Sequence, residues 1–401
     1  MEVLRLLINF LTVAEYFNTD YEKDFEKEFA VGDTIQVKFP QTFLISDGPG
    51  YAPQGINRIS TTVSLNQWIQ IAFEWDDYEA AVKAERTSAE IREQYLEPAA
   101  AQIAQEIDSR AAQFAYQNAS NISSGSVLGT DPTSVTPYYN ARRRLMELAC
   151  PPKPKRAMCI SSSMMSSFGQ NITTFFHPGD ELSQMFKEGY LGQAAGFEWF
   201  ESNSLYTHTA GTIASTLTVT GAGQSGSSLV VTGTNGDTLK KGDKISINAV
   251  NQVNPRTRRI PGPAVNKQFT ITQDITLTGG SDTISILPAI YGPGSQYQNV
   301  DALPLGSATI TLWPGTSSPN GKTGTVGLGL SKYAFALVGG QFYTPKAVEA
   351  ATQHRDDQTG IPVRFVKFWD PVRSLQGNRF DSLIGFGNLY QDNGAVTVLG
   401  A

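Results

Sequence analysis

Apolar residues recur at every second position in one long stretch of the chain, roughly residues 211–291. The short apolar runs are separated by Gly, Asn and Asp; they are Leu217/Val219, Leu229/Val231, Ile245/Ile247, Phe269/Ile271, Ile275/Leu277 and Ile284/Ile286. A period of two is typical of short antiparallel strands with one buried face. Several such strands can cover their own apolar side as a small barrel or sandwich. We therefore predict an inserted, barrel-like all-β domain at residues 211–292.

A helical period appears upstream of this stretch. From Ser88 to about Asn118, apolar residues step by three or four along one face: Leu96, Ala100, Ile103, Ile107, Ala111 and Phe114. A helix of about thirty residues would extend about 45 Å. Pro98 lies inside the pattern, so it either kinks the helix or occupies the first turn of its main part.

Two alternating segments precede the helix and predict an extended ribbon at residues 31–75. In the first segment Ile35, Val37 and Phe39 alternate with polar residues, and in the second Ile69, Ile71, Phe73 and Trp75 do so. Prolines and glycines between the segments predict a turn-rich tip. Because an isolated two-stranded ribbon is marginal in water, we expect a neighbouring subunit to cover it.

The remaining segments predict an N-terminal arm at residues 1–30 and a mixed body at 76–210 and 293–401. Val3, Leu7, Leu11 and Ala14 share one face of a short amphipathic helix. Further strands are predicted at residues 309–313, 337–342 and 363–369. A closing hairpin is predicted from residues 380–390 and 395–399, with its turn at residues 392–394. The chain is thus of the α+β class.

Charge and cysteine content narrow the classes of function. The 401 residues carry a net charge of −6, whereas a dedicated nucleic-acid binder is usually strongly basic. Charged residues make up 17% of the chain, which fits a surface largely covered by partners. Cys150 and Cys159 are the two cysteines, and we expect no disulfide between them. The basic cluster Arg256, Arg258 and Arg259 favours solvated side chains or ion pairs across subunit boundaries.

No motif for catalysis, metal binding or cofactor binding stands out. His177, His208 and His354 are far apart in the sequence and lack metal-ligand spacing. GAGQSG at residues 221–226 matches a dinucleotide-binding pattern, but a strand-like segment follows where that site requires a helix. The adjacent carboxylates Asp76/Asp77 and Asp356/Asp357 are typical of solvated loops. We expect a non-enzymatic protein without a cofactor.

The order of these parts resembles the major capsid proteins of tailed bacteriophages, whose fold is the Hong Kong 97 type. The resemblance is closest to the coat proteins of short-tailed phages of the Salmonella type, which carry an insertion domain. Four segments carry it: YEKDFEKEFAVGDTIQVKFP (residues 21–40), YLEPAAAQIAQEID (95–108), KKGDKISINAVNQVNPRTRRIPG (240–262) and RFDSLIGFGNLYQDNGAVTVLG (379–400). By analogy, the ribbon is the extended loop, the long helix is the spine helix, and the body supplies peripheral and axial domains.

The resemblance implies a major capsid protein that self-assembles into the icosahedral shell around a double-stranded DNA genome. Its expected partners are copies of itself in pentamers and hexamers, a scaffolding protein and a portal during assembly, and non-specifically packaged DNA, with no membrane. The expected location is the virion capsid, assembled in the bacterial host cytoplasm. Two alternatives remain open from the residues: a β-rich extracellular adhesin or phage tail structural protein, and a carbohydrate-active hydrolase.

The candidate functional residues are those expected to contact neighbouring subunits. Apolar contacts from the ribbon and charged groups near its ends would set the register between copies. The ribbon candidates are Ile35, Val37, Asp47, Tyr51, Ile71 and Phe73. The candidates on the insertion are Asp243 and Lys244.

Overall fold

The computed structural model describes most of the chain, in several ranges. These are residues 11–20, 34–39, 42–45, 48, 50, 53–56, 60–76, 95, 97–153, 156–172, 193–313, 320–346, 348–355, 360–373 and 375–401. The described residues form an α+β protein that is rich in strands, which confirms the predicted class. Within them, no helix is long and apolar enough to cross a membrane.

The helices are α1 (Glu97–Asn118), α2 (Thr136–Glu147), α3 (Ser162–Ile172) and α4 (Gln391–Gly394), with a 3-10 turn at Ala14–Tyr16. The strands before residue 240 are β1 (Thr34–Lys38), β2 (Ser60–Asp76), β3 (Asn121–Ile122), β4 (Arg156–Ile160), β5 (Gln193–Ala194), β6 (Phe197–Glu201), β7 (Thr207–Thr209), β8 (Leu217–Val219), β9 (Gly226–Thr232) and β10 (Thr238–Leu239). The later strands are β11 (Lys244–Asn251), β12 (Asn266–Ile271), β13 (Ile275–Thr276), β14 (Ser281–Ile290), β15 (Thr309–Leu312), β16 (Thr323–Leu330), β17 (Phe335–Gly339), β18 (Ala350–Arg355), β19 (Pro362–Asp370), β20 (Leu375–Asn388) and β21 (Ala395–Leu399).

The chain divides into two compact units. The first comprises Met1–Lys38, Ser60–Ala111 and Phe335–Leu389, and the second comprises Phe39–Ile59, Ala112–Ala334 and Tyr390–Ala401. The first unit contains one antiparallel sheet in the order β1-β2-β20-β19-β18, and β17 also pairs with β20. The second unit contains a closed barrel and a mixed sheet, described below.

The ribbon prediction is correct for its first strand but wrong in its pairing. β1 pairs with the beginning of β2, from Thr34 opposite Ser64 to Lys38 opposite Ser60. The predicted second strand, residues 69–75, instead pairs with β20, with Ile69 opposite Ser382 and Trp75 opposite Gln376. β2 is 17 residues long and extends beyond the five-residue β1, and its other edge pairs with β20 from Val63 to Asp76. The second half of β2 is therefore hydrogen-bonded to a strand of its own chain.

The described part of the long helix is α1, Glu97–Asn118, and Pro98 lies near the beginning of this span. Ala100, Ile103, Ile107 and Ala111 are fully buried, as their spacing predicted. The predicted helical residues 88–94 and 96 lie outside the described part of the chain.

Asp108 of α1 anchors the N-terminal segment within the first unit. Its carboxylate accepts hydrogen bonds from Thr12 N (2.7 Å), Thr12 Oγ1 (2.8 Å) and Ala14 N (2.9 Å). Burial raises the pKa of Asp108 above its ordinary value, and the hydrogen bonds from Ala14 and Thr12 oppose that shift. Phe17, just after the 3-10 turn, packs against Phe335 with ring centroids 5.5 Å apart. Residues 3 and 7 of the predicted arm helix lie outside the described residues.

The alternating apolar runs form a closed barrel in the order β11-β12-β14-β9-β8-β15. Five of the runs supply barrel strands, and their apolar residues make up a single buried core. The remaining run, β13, instead pairs with β10 outside the barrel. The barrel is closed by β15, which pairs with both β11 and β8. Its strands therefore extend to Leu312, beyond the predicted end at residue 292.

The second sheet runs β3-β21-β16-β4-β6-β5, and β7 also pairs with β16. α2 and α3 pack their apolar residues on this sheet, where Tyr138, Phe168 and Trp199 form an aromatic cluster. Cys150 and Cys159 are both buried, and no disulfide joins them. The GAGQSG segment turns between the antiparallel strands β8 and β9, as a hairpin turn and not as a phosphate-binding loop.

The predicted C-terminal hairpin is wrong, although both of its strands exist. β20 pairs with β2, β17 and β19, whereas β21 pairs with β16 and β3. The two strands belong to different units, and the four-residue helix α4 lies between them where a tight turn was expected.

We predict that a fragment of residues 211–313 folds and that one of residues 211–292 does not. The shorter fragment lacks β15, which pairs with β8 and β11 and buries Ile310 and Leu312. The open edges of β8 and β11 would then be unpaired. Amide NMR spectra of both fragments would test this, with Ile310→Asp in the longer fragment as a matched control. A well-dispersed spectrum from residues 211–292 would contradict the prediction.

Asp108 should make stability depend on pH. Because its pKa is raised in the folded chain, the folded state binds the proton more tightly than the unfolded state does. Its contribution is therefore greatest below the ordinary pKa of aspartate and declines as the pH rises through the folded pKa. We expect the unfolding free energy of the wild type, relative to Asp108→Asn, to fall as the pH rises above about 4. Urea unfolding across pH measures this, with Asp20→Asn as the control. A difference that stays constant or increases with pH would refute it.

Candidate subunit interface and barrel junction

The candidate contact residues of the ribbon differ in how much surface they offer. Val37 is 4% exposed and packs with Val63, Ala336, Val338 and Leu389, so it belongs to the core of its own unit. Ile35 and Ile71 are half-buried. Asp47 and Tyr51 lie outside the described residues.

Phe73 is also half-buried. Its ring lies 6.1 Å from that of Tyr95 and 6.2 Å from that of Phe380, measured between centroids. Part of the Phe73 side chain is thus already engaged within its own unit. A contact of Ile35, Ile71 or Phe73 with another subunit remains a prediction.

The most exposed apolar side chains of the ribbon are ones that the sequence analysis did not single out. In the described part of the ribbon tip, residues 42–56, Ile45 is 91% exposed, Ile56 74% and Phe43 64%. The sequence did contain a signal for these exposed side chains. Large apolar residues stand there among prolines and glycines, where a solvated loop would carry polar residues. Period-two analysis could not select them, because the tip residues that the structure describes form no strand.

The ribbon tip is held by its own unit. Thr42 Oγ1 donates to Gln296 O (2.6 Å), Arg258 Nη2 donates to Phe43 O (2.9 Å), and Gln296 Nε2 donates to Gly55 O (2.9 Å). Across the tip, Leu44 N donates to the Gln54 side chain at 2.8 Å. The expectation that the ribbon is supported by a neighbouring subunit alone is therefore corrected for these residues. The anchoring bonds involve polar groups and leave Ile45 and Ile56 exposed.

Asp243 and Lys244, the candidates on the barrel, are each only 2% exposed. The Asp243 carboxylate pairs with His208 Nε2 (2.8 Å) and accepts from Gly211 N (3.0 Å) and Lys240 N (2.8 Å). Lys244 Nζ donates to Tyr116 O (2.7 Å) and Thr270 Oγ1 (3.0 Å). Both residues act inside the chain. We therefore propose that they hold the barrel in place, not that they contact a neighbour.

These bonds are part of a polar region that we call the barrel junction. It joins Lys244, Lys267, Gln268 and Thr270 of the barrel to residues 116–122 and to Asp392. Lys267 Nζ lies 2.5 and 2.7 Å from the two Asp392 oxygens, and Ser120 Oγ donates to the same carboxylate at 2.8 Å. Thr270 Oγ1 donates to Ala119 O at 2.7 Å, and Ile122 N donates to Gln268 Oε1 at 2.8 Å.

The junction places the Lys244 ammonium group at the carboxyl-terminal end of α1, where it donates to Tyr116 O. The last carbonyls of a helix lack intrahelical partners and carry partial negative charge, so a lysine that donates to one of them is favourably placed. Lys244 Nζ also lies 4.5 Å from the centroid of the Tyr116 ring. Burial lowers the pKa of Lys244 well below its ordinary value, and the charge of Asp243 opposes that shift. Burial likewise lowers the pKa of Lys267, and Asp392 opposes it.

Gly242 lets the turn before β11 approach α1. Its φ of +100° favours glycine, and an added Cβ would lie 2.9 Å from a Tyr116 ring carbon. The turn thereby brings Asp243 and Lys244 against the end of the helix. The sequence pattern does not reveal this role, because Lys244 and Thr270 alternate with core residues and thus fall on the outer face of the barrel, where solvent is the usual environment.

The described residues thus define a strand-rich α+β protein with a closed barrel and with exposed apolar side chains at the ribbon tip. The family model of the P22 coat protein, described as "P22 coat protein - gene protein 5", matches residues 32–381. The chain therefore belongs to the P22 coat protein family. It is a major capsid protein that forms the shell of a bacteriophage, as predicted. The adhesin, tail-protein and hydrolase alternatives are superseded by this assignment.

Several solved structures of phage proteins are similar to this chain. The chain is similar to a protein of Mycobacterium phage Che8, with 12% identity, a TM-score of 0.49, and coverage of 98% of this chain and 92% of that one. The capsid structure of Cyanophage P-SCSP1u is 13% identical, with a TM-score of 0.47 and coverage of 98% of this chain and 88% of that one. The capsid of Ralstonia phage GP4 is 8% identical, with a TM-score of 0.44 and coverage of 98% of this chain and 90% of that one. No match is found among curated proteins.

We predict that Thr270→Val weakens the barrel junction at nearly constant volume. The substitution leaves Ala119 O without its donor and removes one acceptor from the Lys244 ammonium group. An unsatisfied buried polar group costs about 1–3 kcal/mol, so the unfolding free energy should fall by about that much. Urea unfolding would measure it. Thr276→Val, at an exposed position of β13, is the matched control and should change stability by less than about 0.5 kcal/mol. Equal stability of the two variants would argue against the junction.

Proposed function

We propose that this capsid protein closes its shell through the exposed apolar tip of the ribbon, which packs onto an adjacent subunit. The observation that carries the proposal is the exposure of Ile45 and Ile56 on a tip that polar groups of Thr42 and Phe43 tie to the rest of the unit. Burial of apolar surface contributes about 25 cal/mol per Å², so a few such side chains give a modest contact. Many modest contacts allow wrongly placed copies to dissociate before a shell closes.

The same proposal covers the arrangement of the copies in the shell and the partners of assembly. Copies would form pentamers and hexamers of an icosahedral shell, because heterologous contacts close into rings when their rotation permits. Ile35, Ile71 and Phe73 would add contacts beside the tip, and Asp47 and Tyr51 remain candidates at the tip itself. Membership of the family supports a role for a scaffolding protein and a portal during assembly. The net charge of −6 favours non-specific packaging of double-stranded DNA over tight binding.

Its place would be the virion capsid, following assembly in the host cytoplasm. The protein would work by association and not by catalysis. Within the subunit, the closed barrel would contribute stability as an insertion domain. Support for that role comes from the continuous apolar core of the barrel and from the buried barrel junction.

Electron microscopy of the expressed chain, alone and with a scaffolding partner, tests the proposed function. Uniform closed shells are the expected result. A protein that stays monomeric at micromolar concentration under both conditions would contradict it.

A sharper prediction concerns the tip. The double substitution Ile45→Asp and Ile56→Asp should abolish regular shells, because burying each unpaired carboxylate at a contact costs several kcal/mol. Urea unfolding of the unassembled chain should be unchanged, since both side chains are exposed there. The matched control is Leu305→Asp, at a 64% exposed apolar residue of the barrel. Regular shells from the double variant, in wild-type yield, would show that the tip is not a contact.

A further inference from the structure

The hairpin formed by β19 and β20 ends in exposed apolar side chains, where a turn usually carries polar ones. Val372 is 90% exposed, Trp369 49% and Phe368 39%. The turn is tied internally, because Val372 N donates to Asp370 Oδ1 at 2.9 Å. Exposed apolar groups that lie together on a surface often mark an interaction site. The hairpin end is therefore suited to insertion into an apolar recess of another molecule.

A cavity of about 520 Å³ in the second unit offers such a recess. Three aromatic side chains on its wall are exposed to solvent: Phe43 is 64% exposed, and Tyr333 and Tyr390 are each 41% exposed. Because these rings are accessible, an incoming side chain can contact them directly. Pockets for drug-sized molecules measure about 300–1,000 Å³, so the cavity has room for an indole ring.

The cavity wall carries positive charge. Arg256 and Arg258 line it, and none of the described residues that do so is acidic. Arg258 Nη2 is occupied by bonds to Phe43 O (2.9 Å) and Gln296 O (3.0 Å), whereas the Arg256 side chain is exposed. A partner that fits this wall should therefore place a carboxylate beside an apolar anchor.

The hairpin end has this combination, because Asp370 directly follows Trp369. Tryptophan is among the residues that most often anchor a protein interface when they fill a pocket on the partner. Met146 is also exposed and stands next to an acidic residue, Glu147. That pair fits less well, since Glu147 is already bound to Arg143 at 3.0 Å and is only 12% exposed.

We propose that the hairpin end of one copy inserts into this cavity of a second copy, with Trp369 against the aromatic wall and Asp370 beside Arg256. The two surfaces differ, so each copy offers its hairpin to one neighbour and its cavity to another. Such heterologous contacts close into rings when their rotation permits. The inference rests on and deepens the proposed function, because Phe43 belongs both to the ribbon tip and to the cavity wall.

Charge exchange in the full-length chain tests the pairing. Asp370→Arg and Arg256→Asp, each alone, should lower the yield of closed shells at least about tenfold, because each sets like charges against one another at the contact. Together they restore opposite charges, so the double variant should form shells in near wild-type yield. The matched control combines Asp370→Arg with Arg259→Asp, at an exposed arginine outside the cavity wall, and should remain defective.

Two results of the charge exchange would overturn the proposal. One is a normal shell yield from either single variant. The other is a double variant that is as defective as the single ones, although urea unfolding shows that it is folded. A defect of Arg256→Asp that is confined to reactions with a scaffolding partner would assign the cavity to that partner, which also overturns the proposal.

The apolar anchor is tested by Trp369→Ala, which should lower shell yield at least about tenfold, whereas Trp369→Phe keeps an aromatic ring and should retain most of it. Unchanged yield from Trp369→Ala would contradict the proposal. The ribbon-tip variant with Ile45→Asp and Ile56→Asp leaves the hairpin and Arg256 intact, so the two contacts can fail separately. Normal shells from that variant, together with rescue by charge exchange, would refute the tip contact and support this one.

Discussion

The buried lysines of the barrel junction impose the main constraint on the second unit. A closed barrel directs its apolar side chains inward, so little apolar surface remains outside to attach it to the rest of the unit. The attachment therefore relies on polar groups that lose their water. Each such group must find a partner, since a buried unpaired charge costs several kcal/mol. Lys244 is satisfied by Tyr116 O and Thr270 Oγ1, and Lys267 by Asp392.

This constraint explains features that otherwise look unrelated. α1 ends at Asn118, so the Tyr116 carbonyl in its last turn is available to accept from Lys244. Gly242 is required where the turn passes the Tyr116 ring. The helix α4 carries Asp392, the counter-charge of Lys267, and it occupies the position where the sequence suggested a simple hairpin turn.

Sequence patterns anticipated local structure well and long-range pairing poorly. The apolar positions of the barrel strands and of α1 were recognisable, because burial imposes a period on neighbouring residues. The pairing of β2 with β20 joins segments some three hundred residues apart, as with Trp68 opposite Leu383, and no local period encodes it. For the same reason the closing strand β15 was recognised as a strand but not as part of the barrel.

The candidate interface residues show the same contrast between what a local pattern predicts and what long-range packing decides. The ribbon was identified from its period, yet Val37 proved to be a core residue, because alternation shows that one face is covered without showing by what. Asp243 and Lys244 were selected as charged candidates on the insertion, but only the fold reveals that their side chains are buried.

The contrast between the junction and the ribbon tip bears on how a shell subunit works. Hydrogen bonds to buried charges are directional and intolerant of displacement, so the junction fixes one orientation of the barrel. Contacts of exposed isoleucines are non-directional and individually weak, which suits a surface that must form and release during assembly. Under the proposed function, the same chain uses polar burial where a geometry must be unique and apolar exposure where association must be reversible. A subunit with these roles exchanged would hold its barrel loosely and bind its neighbours through contacts too exacting to correct.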